Sequence, residues 1–100
     1  MAQAVNSGSK FEIKNYALTD SADTPVSGLT GTEYRINNIL IRARESGKEI
    51  AIRASDGATD YFTVPEGVAV TIDIQARNNT PIYLRCVSGS CNAEVIITYE

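Results

Sequence analysis

Cys86 and Cys91, five positions apart, are the residues of this 100-residue chain best suited to chemistry. Two thiols in one short segment either close a disulfide, if the backbone sets them opposite one another, or pack as small buried hydrophobes. For so short a loop the bond would contribute roughly 2 kcal/mol at most, trimming a formed structure rather than making it. A reducing compartment favours the thiols, and both readings stay open. Zinc wants four soft or imidazole ligands, and the chain has no histidine and no further cysteine.

The acidic and aromatic groups are weaker candidates. Asp56-Gly57-Ala58-Thr59-Asp60 places two carboxylates around a glycine in the manner of a calcium loop, but it lacks the third acidic position and the bidentate glutamate of such loops, so a plain turn is the better reading. Asp20 and Asp23 have no neighbour able to raise one pKa or act as a nucleophile, and they read as turn formers. Asn78-Asn79-Thr80 matches a glycosylation acceptor, stiffened by Pro81, and is set aside. Tyr16, Tyr34, Tyr61 and Tyr83 would stack on sugars or bases only if several shared one exposed face. Alternation puts Tyr61 and Tyr83 outward, without the basic company that single-stranded nucleic acid needs. Arg42, Arg44, Arg53, Arg77 and Arg85 face outward among acids, which suits bidentate contacts to a partner's carboxylates as well as plain solvation. With no glycine-rich phosphate loop either, the expectation is no catalytic, cofactor-binding or metal-ligating residue, and no enzyme.

The elements that must position these groups are strands. From Phe62 to Tyr99 apolar residues fall on alternate positions, the period of a strand with one covered face. Phe62 and Val64 point in. Val64-Pro65-Glu66-Gly67-Val68 reads as a hairpin that sets Val64 opposite Val68 and Phe62 opposite Val70. Val68, Val70, Ile72, Ile74 and Ala76 continue the inward row. Ile82, Leu84 and Cys86 form the next, and Cys91, Ala93, Val95, Ile97 and Tyr99 the last. A hairpin closed through residues 87 to 90 would set Cys86 directly opposite Cys91.

Upstream the pattern is less regular. Residues 1 to 10 hold nothing that anchors a core and read as a mobile arm. Phe11 and Ile13 share one side, then Tyr16 and Leu18 carry on in the other phase, which implies a bulge or strand end near Asn15. Thr19 to Glu33 has the composition of one long loop. Tyr34 to Arg44 fits a strand that slips at Asn37 and Asn38 and also fits a helix through Ile36, Ile39, Leu40 and Ala43; the stiffness of isoleucine favours the strand. Ile50, Ile52 and Ala54 then point in, Glu49, Ala51 and Arg53 point out, and residues 55 to 58 turn the chain. Six to eight strands with no convincing helix imply one antiparallel β-sandwich over residues 11 to 100, of jelly-roll or immunoglobulin-like kind.

Composition narrows the partners. The net charge is -3 with both signs mixed along the chain, so neither nucleic acid nor a membrane surface is expected. The N-terminal stretch MAQAVNSGSK lacks a signal-peptide hydrophobic core, which points to synthesis in a cytosol.

The stretch from Tyr34 to Glu100, with its short β-branched strands and its YFTVPEG segment, together with an acidic pI and a polar N-terminus, resembles the small virion proteins of tailed bacteriophages, in particular head decoration or capsid cement proteins. That resemblance implies a sandwich bound to the outside of a capsid, assembled in the host cytoplasm, which bridges neighbouring copies of the major capsid protein. It implies a symmetric homo-oligomer, a trimer being one form, and no catalysis. On this reading the contacts fall to residues 1 to 10, with Ala2, Gln3 and Val5, to the loop 19 to 33, and to Tyr61 and Tyr83. Neck or tail components are the nearest variant. A carbohydrate- or host-surface-binding module using Tyr61 and Tyr83 is the alternative, and an enzyme ranks last.

Overall fold

A strand with one apolar face must cover that face, and two such sheets stacked together cover both. The computed structural model describes residues 10–27, 35–76 and 81–99, and in them eight strands. These are β1 (Phe11–Thr19), β2 (Thr24–Val26), β3 (Ile36–Ala43), β4 (Ile50–Arg53), β5 (Phe62–Val64), β6 (Val70–Ala76), β7 (Ile82–Cys86) and β8 (Ser90–Tyr99). Sheet A runs β1-β8-β3-β6 and sheet B runs β2-β7-β4-β5, all pairs antiparallel. β1 lies on β8, β2 on β7, β3 on β6 and β4 on β5, the nested pairing of a jelly-roll sandwich. Among the described strands, β4 and β5 alone are chain neighbours that share a sheet; every other connection crosses between sheets.

The core is aliphatic. β8 alternates without interruption, and Ala93, Val95, Ile97 and Tyr99 are fully buried on its inner face. Leu18, Ile36, Ile39 and Ile41 join them from sheet A, and Val26, Ile50, Val64, Leu84 and Cys86 close the core from sheet B. Tyr99 keeps its hydroxyl satisfied by donating to Glu12 Oε1 at 2.5 Å, as a buried phenol requires.

Within the segment expected as strand or helix, Ile36–Ala43 forms the strand β3, with the expected irregularity between Ile36 and Asn38 in its pairing with both neighbours. Other expectations are corrected. β1 has no bulge or end at Asn15: it pairs with β8 in one register from Phe11↔Thr98 to Thr19↔Ser90. Its phase change is one of side-chain chemistry and not of backbone, so Phe11 and Ile13 sit on the outside. The expected loop 19 to 33 contains β2. The turn at Pro65 is present, with the Val68 N–H donating to the Pro65 carbonyl at 3.3 Å and Gly67 at a φ of 73° that favours glycine. It is not a hairpin. Val64 pairs with Ile50 in sheet B and Val70 with Ile41 in sheet A, so Val64 does not face Val68, nor Phe62 Val70. Pro65 has no N–H with which to continue a ladder, and the chain arches over to the other sheet. The segment 87 to 90 is likewise an arch: Cys86 pairs with Ile50 in sheet B and Cys91 with Leu18 in sheet A. Phe62 shares the face of Val64 but lies at the rim and is 58% exposed, Val68 is 45% exposed, and Ala54 lies beyond β4 in solvent. Ala51, expected outside, is buried.

Ala51 lies beside a charge network on the outer face of sheet B. Asp23, in the turn between β1 and β2, has its side chain wholly covered. It accepts from Arg85 Nε at 2.9 Å through Oδ1 and from the Gly57 N–H at 2.7 Å through Oδ2, with Arg53 Nε 3.6 Å away. Gly57 presents that N–H from a turn at φ 75°, where a side chain would be strained. Arg53 also donates through Nη1 to the Ala58 carbonyl at 2.7 Å. Both arginines are thus half-buried, not free outward charges. Asp20 accepts from the Gly89 N–H at 2.8 Å, so the acidic turn formers also tie loops together. Burial alone would raise the Asp23 carboxyl; the Gly57 N–H and the Arg85 and Arg53 guanidinium groups outweigh it and hold the group below the usual carboxylate range.

A folded pKa below the unfolded value means that stability is complete above the unfolded carboxylate pKa of about 4 and falls as pH drops through the folded one. Asp23→Ala should therefore destabilise the domain by roughly 2–4 kcal/mol at neutral pH, because it removes the carboxylate that two half-buried guanidinium groups and the Gly57 N–H face. Thermal melts from about pH 6 to about pH 2 should show a shallower acid slope for Asp23→Asn than for the wild type. Glu45 and Glu94 are held low in the same direction, so the slope should flatten without vanishing.

Candidate functional site: the open face of sheet A

The outer face of sheet A is built around two central pairings. Ile13 lies opposite Ile96, and Ile96 lies opposite Leu40, so β1, β8 and β3 carry one apolar row across the sheet. Ile13 is 67% exposed and Phe11, two residues up the same strand, 59%. Leu40 and Ile96 are half-buried. A depression of about 410 Å³ lies over this row, lined by Ile13, Asn15, Leu40, Arg42, Glu94 and Ile96.

Charge borders the row on one side. The β3–β8 register sets Arg42 opposite Glu94. Arg42 Nε donates to Glu94 Oε1 at 2.8 Å and Arg44 Nε to Oε2 at 3.1 Å, which lowers the Glu94 carboxyl. This small cluster carries a net positive charge, and each guanidinium engages Glu94 through Nε, leaving Nη donors beyond that bond. Those donors suit a partner's carboxylate. Next to the cluster Glu45 clamps Asn92, accepting from its N–H at 2.8 Å and from Nδ2 at 2.6 Å. The arrangement can bind a surface; it brings together no nucleophile and base.

The two faces therefore differ. Sheet B carries the network of Asp23, Arg53 and Arg85 on its outer face, with Tyr61 57% exposed beside it. On it Tyr61 and Tyr83 share one row, since Arg53 pairs with Tyr83 and its guanidinium lies over the Tyr61 ring at 5.4 Å from the centroid. Arg53 thereby occupies one side of the Tyr61 ring, and Tyr83 is half-buried. Sequence reasoning chose these tyrosines and missed Phe11, Ile13, Leu40 and Ile96. The signal was present in the two apolar residues that break phase before Asn15.

Ala2, Gln3, Val5, Tyr34, Arg77 and the Asn78-Asn79-Thr80 sequence lie outside the described residues. Asp56 and Asp60 are exposed beside the β4–β5 turn, and among the described residues no three histidine, cysteine or acidic side chains gather as a metal site. The chain matches no protein-family model and no curated protein.

Cys86 and Cys91 are both buried free thiols. They approach from opposite sheets at one end of the core, and Cys86 Sγ donates to the Ser88 carbonyl at 3.2 Å. Burial first, and the neighbouring Cys86 thiol second, push the Cys91 thiol up to about 12. Near pH 8 only about one Cys91 in ten thousand is then thiolate, the reactive form. An aromatic disulfide reagent should label the folded chain at least about a hundredfold more slowly than the urea-unfolded chain. Fast labelling of the native protein would contradict this burial.

Proposed function

We propose that the chain is a structural binding block of the capsid-decoration kind that its sequence resembles, and that it meets its partner through the outer face of sheet A. One observation carries the reading: an apolar row runs across three strands of sheet A and ends in two exposed large side chains, Ile13 and Phe11, whereas the outer face of sheet B is crossed by the Asp23 charge network. Exposed apolar patches bordered by polar groups mark interaction surfaces. Covering Phe11 and Ile13 would contribute roughly 3 kcal/mol before ordering costs, a modest sum per copy. Repetition over a symmetric shell turns modest contacts into firm attachment. The Arg42–Glu94–Arg44 cluster beside the row would supply orientation through carboxylates of the partner.

The test is co-sedimentation of the full chain with heads assembled from the major capsid protein encoded nearest to it. The wild type should bind saturably and raise the temperature at which the heads disrupt. Leu40→Lys and Ile96→Lys should each lower occupancy about tenfold or more, whereas Val87→Lys, an exposed apolar position on the β7–β8 arch, should leave it unchanged. Heads that stay bare with the wild-type chain reject the decoration reading; occupancy indifferent to Leu40→Lys rejects the face.

A further inference from the structure

The edge of β1 away from β8, unpaired among the described strands, has a property that does not depend on the capsid reading. Sheet B ends in strands of three residues each, and one contains Pro25 while the other runs into Pro65, so both edges resist pairing. β6, the other edge of sheet A, turns Thr71 and Asp73 outward. β1 is nine residues long, has no proline, and is paired only on its β8 side among the described strands. The Tyr99 N–H donates to the Lys10 carbonyl, which makes Lys10 and Tyr99 a hydrogen-bonded pair. By alternation Phe11, Ile13, Asn15 and Ala17 direct their N–H and C=O groups away from β8, toward the open edge.

We propose that this edge pairs with β1 of a second copy, antiparallel, about a twofold axis at Ile13. In that register Ile13 faces Ile13 of the second copy and Phe11 faces its Asn15, all four directing backbone groups into the seam. On the inner side Glu12 then faces Lys14 of the second copy, and Lys14 its Glu12, in the closely spaced class of pair at about 4.5 Å between α-carbons. Sliding the partner by two residues, the smallest step that keeps the same backbone groups at the seam, sets Lys14 against Lys14 or Glu12 against Glu12. The charges therefore disfavour both adjacent registers. Both side chains already sit at the edge with capacity to spare: Glu12 uses Oε1 for the Tyr99 hydroxyl, leaving Oε2, and Lys14 donates to the Ser27 carbonyl at 2.5 Å with two further N–H groups left. Pairing joins the two A sheets into one, and the row Leu40–Ile96–Ile13 continues across the axis into its copy.

Sedimentation equilibrium of the full chain over micromolar concentrations tests this. The wild type should be a dimer. Glu12→Lys and Lys14→Glu should each raise the dissociation constant about tenfold or more, because every pair occurs twice, and the double variant E12K/K14E should recover most of the loss. Ile13→Pro removes a donor that serves only the open edge, so it should abolish the dimer while thermal melts still report a folded domain. That variant and Lys14→Glu carry the test if Glu12→Lys loses stability with its Tyr99 contact. A wild-type monomer at about 100 μM, a trimer, a dimer indifferent to Ile13→Pro, or folded E12K/K14E no tighter than the single variants would each overturn the proposal.

Discussion

Burial of the inner face of β8 is the constraint on which the rest of the molecule depends. Its five inward side chains, Cys91, Ala93, Val95, Ile97 and Tyr99, are at most 5% exposed, and its two flanks hold β1 and β3 in register. A strand covered on one face and hydrogen-bonded on both edges has no freedom to slip, because a one-residue shift would bring its polar positions into the core. The outer face inherits its geometry from that restriction. Ile96 stands between Ile13 and Leu40, and Glu94 beside Arg42, because the inward residues on either side of them are locked.

The second organising contact is electrostatic. Asp23 sits in a covered position where a lone carboxylate would be costly, and it is tolerated because Arg85 and the Gly57 N–H hold its two oxygens, with Arg53 close behind. The same contacts draw the β1–β2 and β4–β5 turns down over sheet B. Sheet A has its own carboxylate between two arginines, Glu94 with Arg42 and Arg44, but there the side chains stay partly exposed. The asymmetry between the faces is that the acid on sheet B is wholly covered and ties turns to the sheet, whereas Glu94 on sheet A stays partly exposed beside an apolar row.

Phe11 and Ile13 gain their meaning from that asymmetry. In an isolated strand they would be a local interruption of pattern, but at the edge of the open sheet they extend an apolar row to its border. Glu12 and Lys14, pointing to the inner side between them, guard the same edge against indiscriminate pairing. An edge that is both apolar and charge-coded admits few partners, and its own copy matches the code.

The one-dimensional pattern determined which residues face the core, because a strand period of two depends only on local backbone geometry. Ile39 and Ile41, Ile82, Leu84 and Cys86, and the whole inner row of β8 were legible in that way, as was the irregularity before Asn38. The pattern was silent on which sheet carries each strand: an inward residue faces the same core from either side, so the arches at Pro65 and after Cys86 satisfy alternation as well as hairpins do. It also misplaced residues at the rim, such as Phe62 and Ala54, where parity is right but the core has run out. The candidate face was least visible. Its row is assembled from β1, β8 and β3, far apart along the chain, and only the pairing of those strands could bring Ile13, Ile96 and Leu40 side by side.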